Sequence, residues 1–369
     1  MKVISLETQN YRNISDGKLT ADPDINIIYG NNAQGKTNLL EAIWLFTGAK
    51  SFRGAKDNEF IRFKEQNAKI SLKFKSRGRV QNSSIIFSEK KEVVLNKVKL
   101  QSANELRGGF GAVIFAPAHL TLVSEGPSVR RKYLDGVLCG LKPKYSAALN
   151  DYAKAVSQRS SILRDAKYHS ELIELCSVFE QQAAAAGSYI SETRKKFVDF
   201  ISPVIGEYYG GISKSREKLE IEYESSANDG DYSVYGLLKS FEKSRNEDII
   251  TGNTSVGPHR DDLKIFINGV PARDYASQGQ MRSIVLALKL GEAYTIANFI
   301  NEEPVILLDD IMSELDSYRK KYILNSIKGR QIFITCCDKS DLRGLSGGKT
   351  YYMKNGIYTE KKTKRKTEE

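Results

Sequence analysis

One eight-residue segment restricts the fold of this 369-residue chain more than any other feature of its sequence. It matches the pattern G-x-x-x-x-G-K-[ST] and reads Gly30-Asn31-Asn32-Ala33-Gln34-Gly35-Lys36-Thr37. A short apolar, β-branched stretch precedes it at residues 25–29, and a helical pattern follows at residues 36–46. Strand, glycine-rich loop and helix in this order cradle phosphate groups, so the sequence predicts an α/β fold with a phosphate site.

The residues of this loop have separate expected roles. Glycines allow backbone N–H groups to surround the phosphates, and the start of the helix adds a positive dipole. The side chain of Lys36 neutralises the β and γ oxygens, which gives it a catalytic role, and the hydroxyl of Thr37 is an expected ligand of Mg²⁺. The loop therefore predicts a bound nucleotide together with Mg²⁺.

An acidic pair follows a second buried strand. The sequence Val305-Ile306-Leu307-Leu308 is apolar and runs directly into Asp309 and Asp310. A phosphate loop needs a carboxylate for its metal at the end of a neighbouring strand, so we assign Asp309 to Mg²⁺. Asp310 is assigned to orienting or deprotonating the attacking water. The alternative interpretation is that both carboxylates only cap the following helix.

A second helix start carries a polar signature. Ser277-Gln278-Gly279-Gln280 precedes a long helical pattern, and Ser-x-x-Gln is typical of a capping box. A serine and a glycine at a helix start can also form an anion site. Ser277 is then a candidate contact in trans for a γ-phosphate held by another subunit, and both interpretations can hold together.

The order of elements indicates one domain built from both ends of the chain. Alternating patterns between residues 69 and 100 predict antiparallel strands, and long amphipathic helices fill residues 128–200, with Pro203 as their expected end. Strands and helices alternate again after about residue 260. We predict an ATPase-type α/β head from residues 1–124 and 253–369, and an inserted, mainly helical arm at 125–252.

Charge favours a polyanionic partner. The chain has 56 Lys and Arg against 45 Asp and Glu, a formal net charge of +11. Residues 128–170 hold nine basic and three acidic side chains, and Arg130, Arg131 and Lys132 are the candidate contacts to DNA phosphates. A solvated helix face is the alternative. Aromatic stacking platforms are not evident near this run, so duplex or junction backbone binding is expected rather than base recognition.

Cysteine usage and hydropathy point to a reduced compartment. The four cysteines form no C-x-x-C pair and the three histidines are far apart, so we expect neither a zinc site nor a disulfide framework. No signal peptide and no apolar run of 18 residues is recognisable, so we expect a cytoplasmic protein without a membrane partner.

Taken together, the motifs resemble the RecF family of bacterial recombination-repair proteins. The resemblance covers nearly the whole chain, in the family's order. It rests on the phosphate loop with its continuation from Asn38 to Ile43, on Gly257-Pro258-His259-Arg260-Asp261-Asp262-Leu263, on the Ser277 segment, on the acidic strand continuing to Asp316, and on the basic run from Arg130 to Asp135.

This resemblance implies an ABC-type, SMC-like ATPase head, two copies of which close face to face on ATP and grip DNA. ATP is then the nucleotide, its site extends to Asn38, and Ser277 acts in trans. The implied partners are duplex, gapped and single-stranded DNA, a second copy of the chain, and RecO and RecR, with help in loading RecA. A weak, DNA-stimulated ATPase is expected.

Two positions depart from the family pattern. Cys336 stands where related ATPases often hold a histidine, and a thiol is a poor hydrogen-bonding sensor of a γ-phosphate, which predicts slow hydrolysis. Ala118 and His119 follow Pro117, where the family commonly has an acidic residue. We expect His119 to be a surface histidine rather than a catalytic one.

Two other functional classes share part of this signature. The ATPase subunit of a membrane transporter has the same phosphate loop and acidic strand, although it does not need the basic helical insert. A P-loop kinase or phosphotransferase should act as a monomer on a small acceptor. Membrane-fraction behaviour separates the first class, and gel filtration with and without ATP separates the second.

Overall fold

The computed structural model describes residues 1–338 and 347–361. Within this part of the chain, the strands are β1 (Lys2–Gln9), β2 (Gly17–Thr20), β3 (Ile25–Tyr29), β4 (Ala68–Ser76), β5 (Arg79–Phe87), β6 (Glu92–Leu95), β7 (Val98–Leu100), β8 (Ala112–Phe115), β9 (Leu219–Glu224), β10 (Asp262–Ile267), β11 (Val270–Pro271), β12 (Val305–Asp309), β13 (Ile332–Cys336), β14 (Lys349–Lys354) and β15 (Ile357–Lys361). The helices are α1 (Lys36–Trp44), α2 (Thr121–Ser124), α3 (Pro127–Leu141), α4 (Pro143–Ala166), α5 (Cys176–Ser213), α6 (Val234–Thr251), α7 (Ala272–Tyr275), α8 (Gln278–Ile300) and α9 (Ser317–Ser326).

The chain divides into two compact units. The first comprises Met1–His119 and Leu288–Glu369, and the second comprises Leu120–Ala287. The predicted head comprises residues 1–124 and 253–369, so the first boundary of this division lies five residues earlier than the predicted one. Residues 253–287, which the prediction assigns to the head, group with the second unit. The reason is sheet pairing: β10 is antiparallel to β9, and β9 follows the long helix α5.

The first unit contains two sheets. One is antiparallel and has the order β2-β1-β4-β5-β6-β7. The other has the order β15-β14-β3-β13-β12-β8, and all its neighbouring strands are parallel except the β14–β15 pair at one edge. The α/β class is therefore confirmed. The strand predicted at residues 25–29 is β3, which has parallel neighbours on both sides as a buried phosphate-loop strand needs.

A single buried cluster joins these layers. Leu39, Leu40 and Ile43 of α1 are fully buried in it. The inward residues of the antiparallel sheet, such as Leu72, and of the parallel sheet, such as Leu307, belong to the same cluster. The helix that follows the phosphate loop is thus fixed by burial of its apolar residues, which holds the loop's position.

The second unit is mainly helical and includes the sheet β11-β10-β9. The prediction that Pro203 ends the helical block is wrong, because α5 continues through it to Ser213. Ile201, Ile205 and Tyr209 are buried at helical spacing on both sides of the proline. The buried apolar face therefore continues across the proline, and this packing outweighs the hydrogen bond that a proline removes.

Helix α8 meets the length and hydropathy criteria for a membrane span. The prediction from the sequence, that no such apolar segment occurs, did not include this helix. However, 67% of its most apolar window is buried inside the structure. Ile284, Leu288 and Ala293 have no exposed surface. Burial of this kind is typical of a helix in the core of a folded domain.

Candidate functional site

The parallel sheet brings the predicted phosphate loop and the acidic pair to one edge. Strand β13 lies between β3 and β12, with Cys336 opposite Tyr29 and Thr335 opposite Asp309. All three strands run in the same direction, so the loops at their carboxyl ends meet. The residues after β3, β12 and β13 therefore form one site.

Two glycines give the loop after β3 its shape. Gly30 has φ +155° and Gly35 has φ +110°, values at which an L side chain is strained. A Cβ atom on Gly30 would lie 2.2 Å from the carbonyl oxygen of Met353. Gln34 ties the loop to the β14–β15 turn, because its Oε1 accepts from the backbone N–H of Asn355 at 2.6 Å. The loop is thus held in place by the fold around it.

The ammonium group of Lys36 lies inside this loop. Lys36 is buried, and its Nζ donates to the carbonyl oxygens of Gly30 at 2.7 Å and Asn31 at 3.1 Å. These two carbonyl oxygens are the hydrogen-bond acceptors of the Lys36 ammonium group. A nucleotide phosphate would offer the same ammonium a stronger, charge-assisted acceptor.

Thr37 and Asp309, the two predicted Mg²⁺ ligands, are in contact. The Thr37 hydroxyl donates to Asp309 Oδ1 at 2.8 Å, and the Thr335 hydroxyl donates to the same oxygen at 2.9 Å. Burial raises the pKa of Asp309, while the two hydroxyl donors lower it. A buried carboxylate whose charge is disfavoured in this way is one that a bound cation would stabilise. The residues present therefore fit a Mg²⁺ ion.

Asp310 follows the strand in a left-handed backbone conformation, with φ +55°. Its backbone N–H donates to Thr335 Oγ1 at 2.9 Å, which fixes the turn after β12. Asp310 lines a cavity of about 250 Å³ together with Lys36, Thr37 and Asn38. The second carboxylate therefore opens into the space beside the phosphate loop. The role of Asp310 toward an attacking water stays a prediction.

Sequence reasoning missed Arg53 and Asn13, which line the same cavity. Arg53 Nη2 donates to Asn38 Oδ1 at 2.6 Å and pairs with the buried carboxylate of Glu41 at 3.0 Å. Asn13 Oδ1 accepts from Asn38 Nδ2 at 2.7 Å. Both residues lie outside the sequence motifs, and only the unusual charge of Glu41 on the buried face of α1 could have indicated a cationic partner.

The cysteine at the phosphate site is Cys337. The prediction that Cys336 takes this position is wrong. Cys336 is the buried last residue of β13. Cys337 is exposed, its thiol donates to Asn32 Oδ1 at 2.9 Å, and its Sγ lies 3.6 Å from Lys36 Nζ. Side chains alternate across a strand, so the residue one position later faces the site.

Ser277 forms the capping box that its spacing predicts. The Gln280 backbone N–H donates to Ser277 Oγ at 3.2 Å, and the Ser277 backbone N–H donates to Gln280 Oε1 at 2.7 Å. Ser277 is exposed at the start of α8. The capping interpretation is confirmed. The Ser277 hydroxyl is exposed, so it is also accessible to another subunit.

The structure contradicts the prediction that Arg130 contacts DNA. Its guanidinium is buried and makes a two-pronged ion pair with Asp262, at 2.7 and 2.8 Å. Arg131 is half-buried and donates to the carbonyl oxygen of Asp261 at 2.7 Å. Of the three basic residues, Lys132 is the one that is exposed. The run Arg130–Lys132 thus joins α3 to the start of β10 instead of forming an open basic surface.

His119 is half-buried and therefore less exposed than the surface histidine that the sequence predicts. Its Nδ1 accepts from the backbone N–H of Ala116 at 3.2 Å. Burial, and next the nearby charge of Lys289, hold the pKa of His119 well below its usual value. The ring is therefore neutral at physiological pH and serves to fix the turn after β8.

Comparison with known proteins supplies an independent line of evidence. A family model described as "RecF/RecN/SMC N terminal domain" matches residues 2–359. The "DNA replication and repair protein RecF" of Agathobacter rectalis is 38% identical over 338 residues, which are 91% of this chain and 92% of that protein. The protein of the same name from Clostridium perfringens is 36% identical over 360 residues, 96% of this chain and 99% of the relative.

Solved structures give the same picture. A structure described as "the recombination mediator protein RecF-ATP in RecFOR pathway" superimposes with a TM-score of 0.91 at 36% identity, covering 98% of both chains. An Smc head domain from Pyrococcus furiosus matches with a TM-score of 0.53 at 15% identity, covering 97% of this chain and 95% of that one. The second match shows a shared fold only.

Proposed function

Because the chain belongs to the RecF family, we propose that it is an ATP-dependent DNA-binding protein of recombinational repair. The observation that carries this proposal is the convergence of Lys36, Thr37 and Asp309 at one edge of the parallel sheet. The relatives' names, which describe replication, repair and recombination, support the cellular role. We place the protein in the cytoplasm, on the nucleoid when it is bound to DNA.

ATP is the nucleotide we propose for the loop. Lys36 exchanges its two carbonyl acceptors for the β- and γ-phosphates, and the backbone N–H groups of the loop surround the same oxygens. Thr37 and Asp309 would hold Mg²⁺, which neutralises the charge on these oxygens when it is bound. The solved structure of a relative, described as RecF-ATP, supports this choice.

Hydrolysis is proposed to be slow. Asp310 faces the cavity and is the group that orients the attacking water and takes its proton. The neighbouring Cys337 thiol, 3.7 Å from Asp310 Oδ2, is a weak hydrogen-bonding partner for a phosphate or a water. Slow turnover suits a mechanism in which ATP is a removable bridge between two subunits. We propose that DNA stimulates this hydrolysis.

The exposed start of α8 supports a further proposal, closure of a dimer on the nucleotide. We propose that Ser277 of one copy contacts the γ-phosphate that is held by Lys36 of another. Each nucleotide then adds charge-assisted hydrogen bonds that exist only in the dimer, and binding shifts the monomer–dimer equilibrium. The closed pair binds duplex or gapped DNA, and RecO and RecR act with it in loading RecA.

Size-exclusion chromatography with ATP, with ADP and without nucleotide tests the proposal. Each sample is run with and without gapped duplex DNA. A dimer that appears with ATP, and co-elutes with DNA mainly in that state, is the expected result. A chain that stays monomeric with ATP and binds DNA equally in all three samples would contradict the ATP-gated mechanism.

A further inference from the structure

The hairpin formed by β4 and β5 has an unusual charge. Residues 68–87 contain five basic side chains and no aspartate or glutamate. All five are exposed: Lys69, Lys73, Lys75, Arg77 and Arg79. We call this segment the basic hairpin. Arg130 and Arg131 are engaged inside the second unit, whereas the basic hairpin is a continuous stretch of positive charge. The hairpin is not among the DNA contacts predicted from the sequence.

Strand alternation puts the three lysines on one side. Ile70, Leu72 and Phe74 are buried in the core of the first unit, so Lys69, Lys73 and Lys75 project from the opposite face of the sheet. The strand is central in its sheet, with β1 on one side and β5 on the other. The charges are therefore mounted on a rigid support, and little backbone ordering is needed when they bind a ligand.

These lysines have no ion-pair partner within residues 1–338 and 347–361. The acidic groups near the hairpin are engaged by groups other than these three lysines. Glu7 on the neighbouring strand pairs with Lys18 at 2.8 Å, and Glu92 pairs with Lys99 at 2.6 Å. Glu302 accepts from the Ser76 hydroxyl at 2.9 Å and from the Arg77 backbone N–H at 2.7 Å.

The free protein carries a like-charge pair here. Lys75 lies directly opposite Lys2 in the β1–β4 ladder. Like charges at directly opposed positions destabilise a sheet. Asp24, 3.4 Å from Lys2, offsets the charge of Lys2, whereas Lys75 forms no ion pair within the part of the chain that the structure describes. A like-charge pair that lowers stability and brings no structural gain is typical of a binding surface.

We propose that the solvent face of the basic hairpin binds the sugar–phosphate backbone of duplex DNA. The inference rests on the proposed DNA-binding function and moves its contact surface from Arg130–Lys132 to β4. At about 3.4 Å per residue, Lys73 and Lys75 are about 7 Å apart and Lys69 is about 14 Å from Lys73. One DNA strand carries a phosphate about every 3.4 Å along the helix axis, so the row can meet several phosphates.

Polar side chains on the same face also suit a phosphate backbone. Ser71, Asn82 and Ser84 share it with the lysines and offer neutral donors to phosphate oxygens. The hairpin presents no aromatic side chain on this face, so it lacks a platform on which unpaired bases could stack. The surface therefore favours duplex DNA, and its contacts do not depend on base sequence.

Charge reversal tests the inference on the full-length chain. The test variant is K69E/K73E/K75E, and K69Q/K73Q/K75Q removes the charges without adding repulsion. The matched control is K154E/K167E/K243E, which reverses three exposed lysines of the second unit and changes the net charge equally. Binding to two duplexes of unrelated sequence is measured by fluorescence anisotropy with ATP over a range of salt concentrations.

The glutamate variant should bind both duplexes about tenfold more weakly or worse. Its slope of log K against log[salt] should be flatter by about two to three units, because each lost phosphate contact removes close to one unit. The glutamine variant should show the same loss of slope with a smaller loss of affinity. The control should stay within about twofold of wild type, and thermal unfolding should show that all variants fold.

Other outcomes overturn the inference. If K69E/K73E/K75E binds duplex DNA with wild-type affinity and slope, or if the control loses as much, the basic hairpin is not the contact surface. Binding to vesicles containing phosphatidylserine that is lost in the test variant, while DNA binding is kept, would assign the surface to anionic lipid instead. If wild type binds no duplex at all, the proposed function fails with it, so the two failures are distinguishable.

Discussion

Lys36 is the residue on which nucleotide binding depends most directly. Lys36→Ala removes the cation that faces the phosphates, while Gly30 and Gly35 still shape the loop. We expect ATP binding to fall below detection in isothermal titration calorimetry, with an unchanged circular dichroism spectrum. Lys50→Ala is the matched control, because Lys50 is an exposed lysine beyond α1. A Lys36→Ala protein that binds ATP as tightly as wild type would contradict the assignment of this loop as the phosphate site.

Asp310 separates binding from hydrolysis. Asp310→Asn should keep ATP affinity but stop turnover, because an amide can hold a water but cannot take its proton. Asparagine also tolerates the left-handed backbone at this position, with φ +55°, so the fold should be preserved. Phosphate release measures the loss, and ATP-bound dimer should accumulate. Unchanged turnover would move the catalytic role to another carboxylate, such as Glu314.

Cys337 makes the site chemically addressable. It is exposed, whereas Cys139, Cys176 and Cys336 are buried, so N-ethylmaleimide should add to Cys337 first. The adduct would occupy the space beside Lys36 Nζ and block ATP binding, and bound ATP should slow the reaction. Mass spectrometry locates the adduct. Cys337→Ser should resist inactivation and Cys336→Ser should remain sensitive; the reverse pattern would contradict the placement of the two thiols.

At the scale of elements, the predictable features are those that a contiguous segment encodes. Strand β3, the loop after it and the acidic end of β12 are each recognisable from a few adjacent residues, and the fold brings them together as parallel strands must. Pro203 predicts a helix end, but helix continuation depends on burial by other elements, which the local sequence does not encode. The ion pair of Arg130 could not be predicted either, because its partner, Asp262, lies 132 positions away along the chain.

The Arg130–Asp262 pair joins α3 to β10, and its removal should be costly. Arg130→Met removes the two-pronged partner of the buried Asp262 carboxylate and leaves it the longer contact with Lys264, at 3.7 Å. Breaking a buried ion pair destabilises a protein by about 3–5 kcal/mol, and the remaining contact with Lys264 places the expected loss at the lower end of that range. Urea unfolding should show this loss. The double variant R130M/D262N should recover part of it, because the buried charge is gone.

Lys132→Met is the control for that prediction, because this neighbour is exposed and its replacement should change stability by less than about 0.5 kcal/mol. The salt dependence of DNA binding by folded Arg130→Met should equal that of wild type. A variant with normal stability and a flatter salt slope would restore Arg130 as a phosphate contact.

At the scale of the whole molecule, the sequence could not specify how charge is distributed. The nine basic residues of 128–170 suggested a basic arm, but Arg130 and Arg159 are buried in ion pairs. The hairpin of residues 68–87 looked like ordinary alternating strands, and its lack of acidic residues matters only because the fold exposes all five basic ones. Net charge predicts the class of partner, and the fold decides which surface is free to meet it.

Assembly of two copies is the proposed link between the nucleotide site and DNA, and Ser277 tests it. Ser277→Arg should leave ATP binding intact, because Lys36 and its loop are unchanged, but its bulk should block the approach of a second copy. Loss of the capping box is the competing effect and costs about 1 kcal/mol. Ser277→Ala loses the same cap without adding bulk, so it measures that effect separately. Sedimentation velocity with ATP should show a monomer for Ser277→Arg and at least partial dimer for Ser277→Ala. A Ser277→Arg protein that dimerises with wild-type affinity would mean that the start of α8 does not contact the nucleotide of a partner, and that ATP closes the pair through another surface.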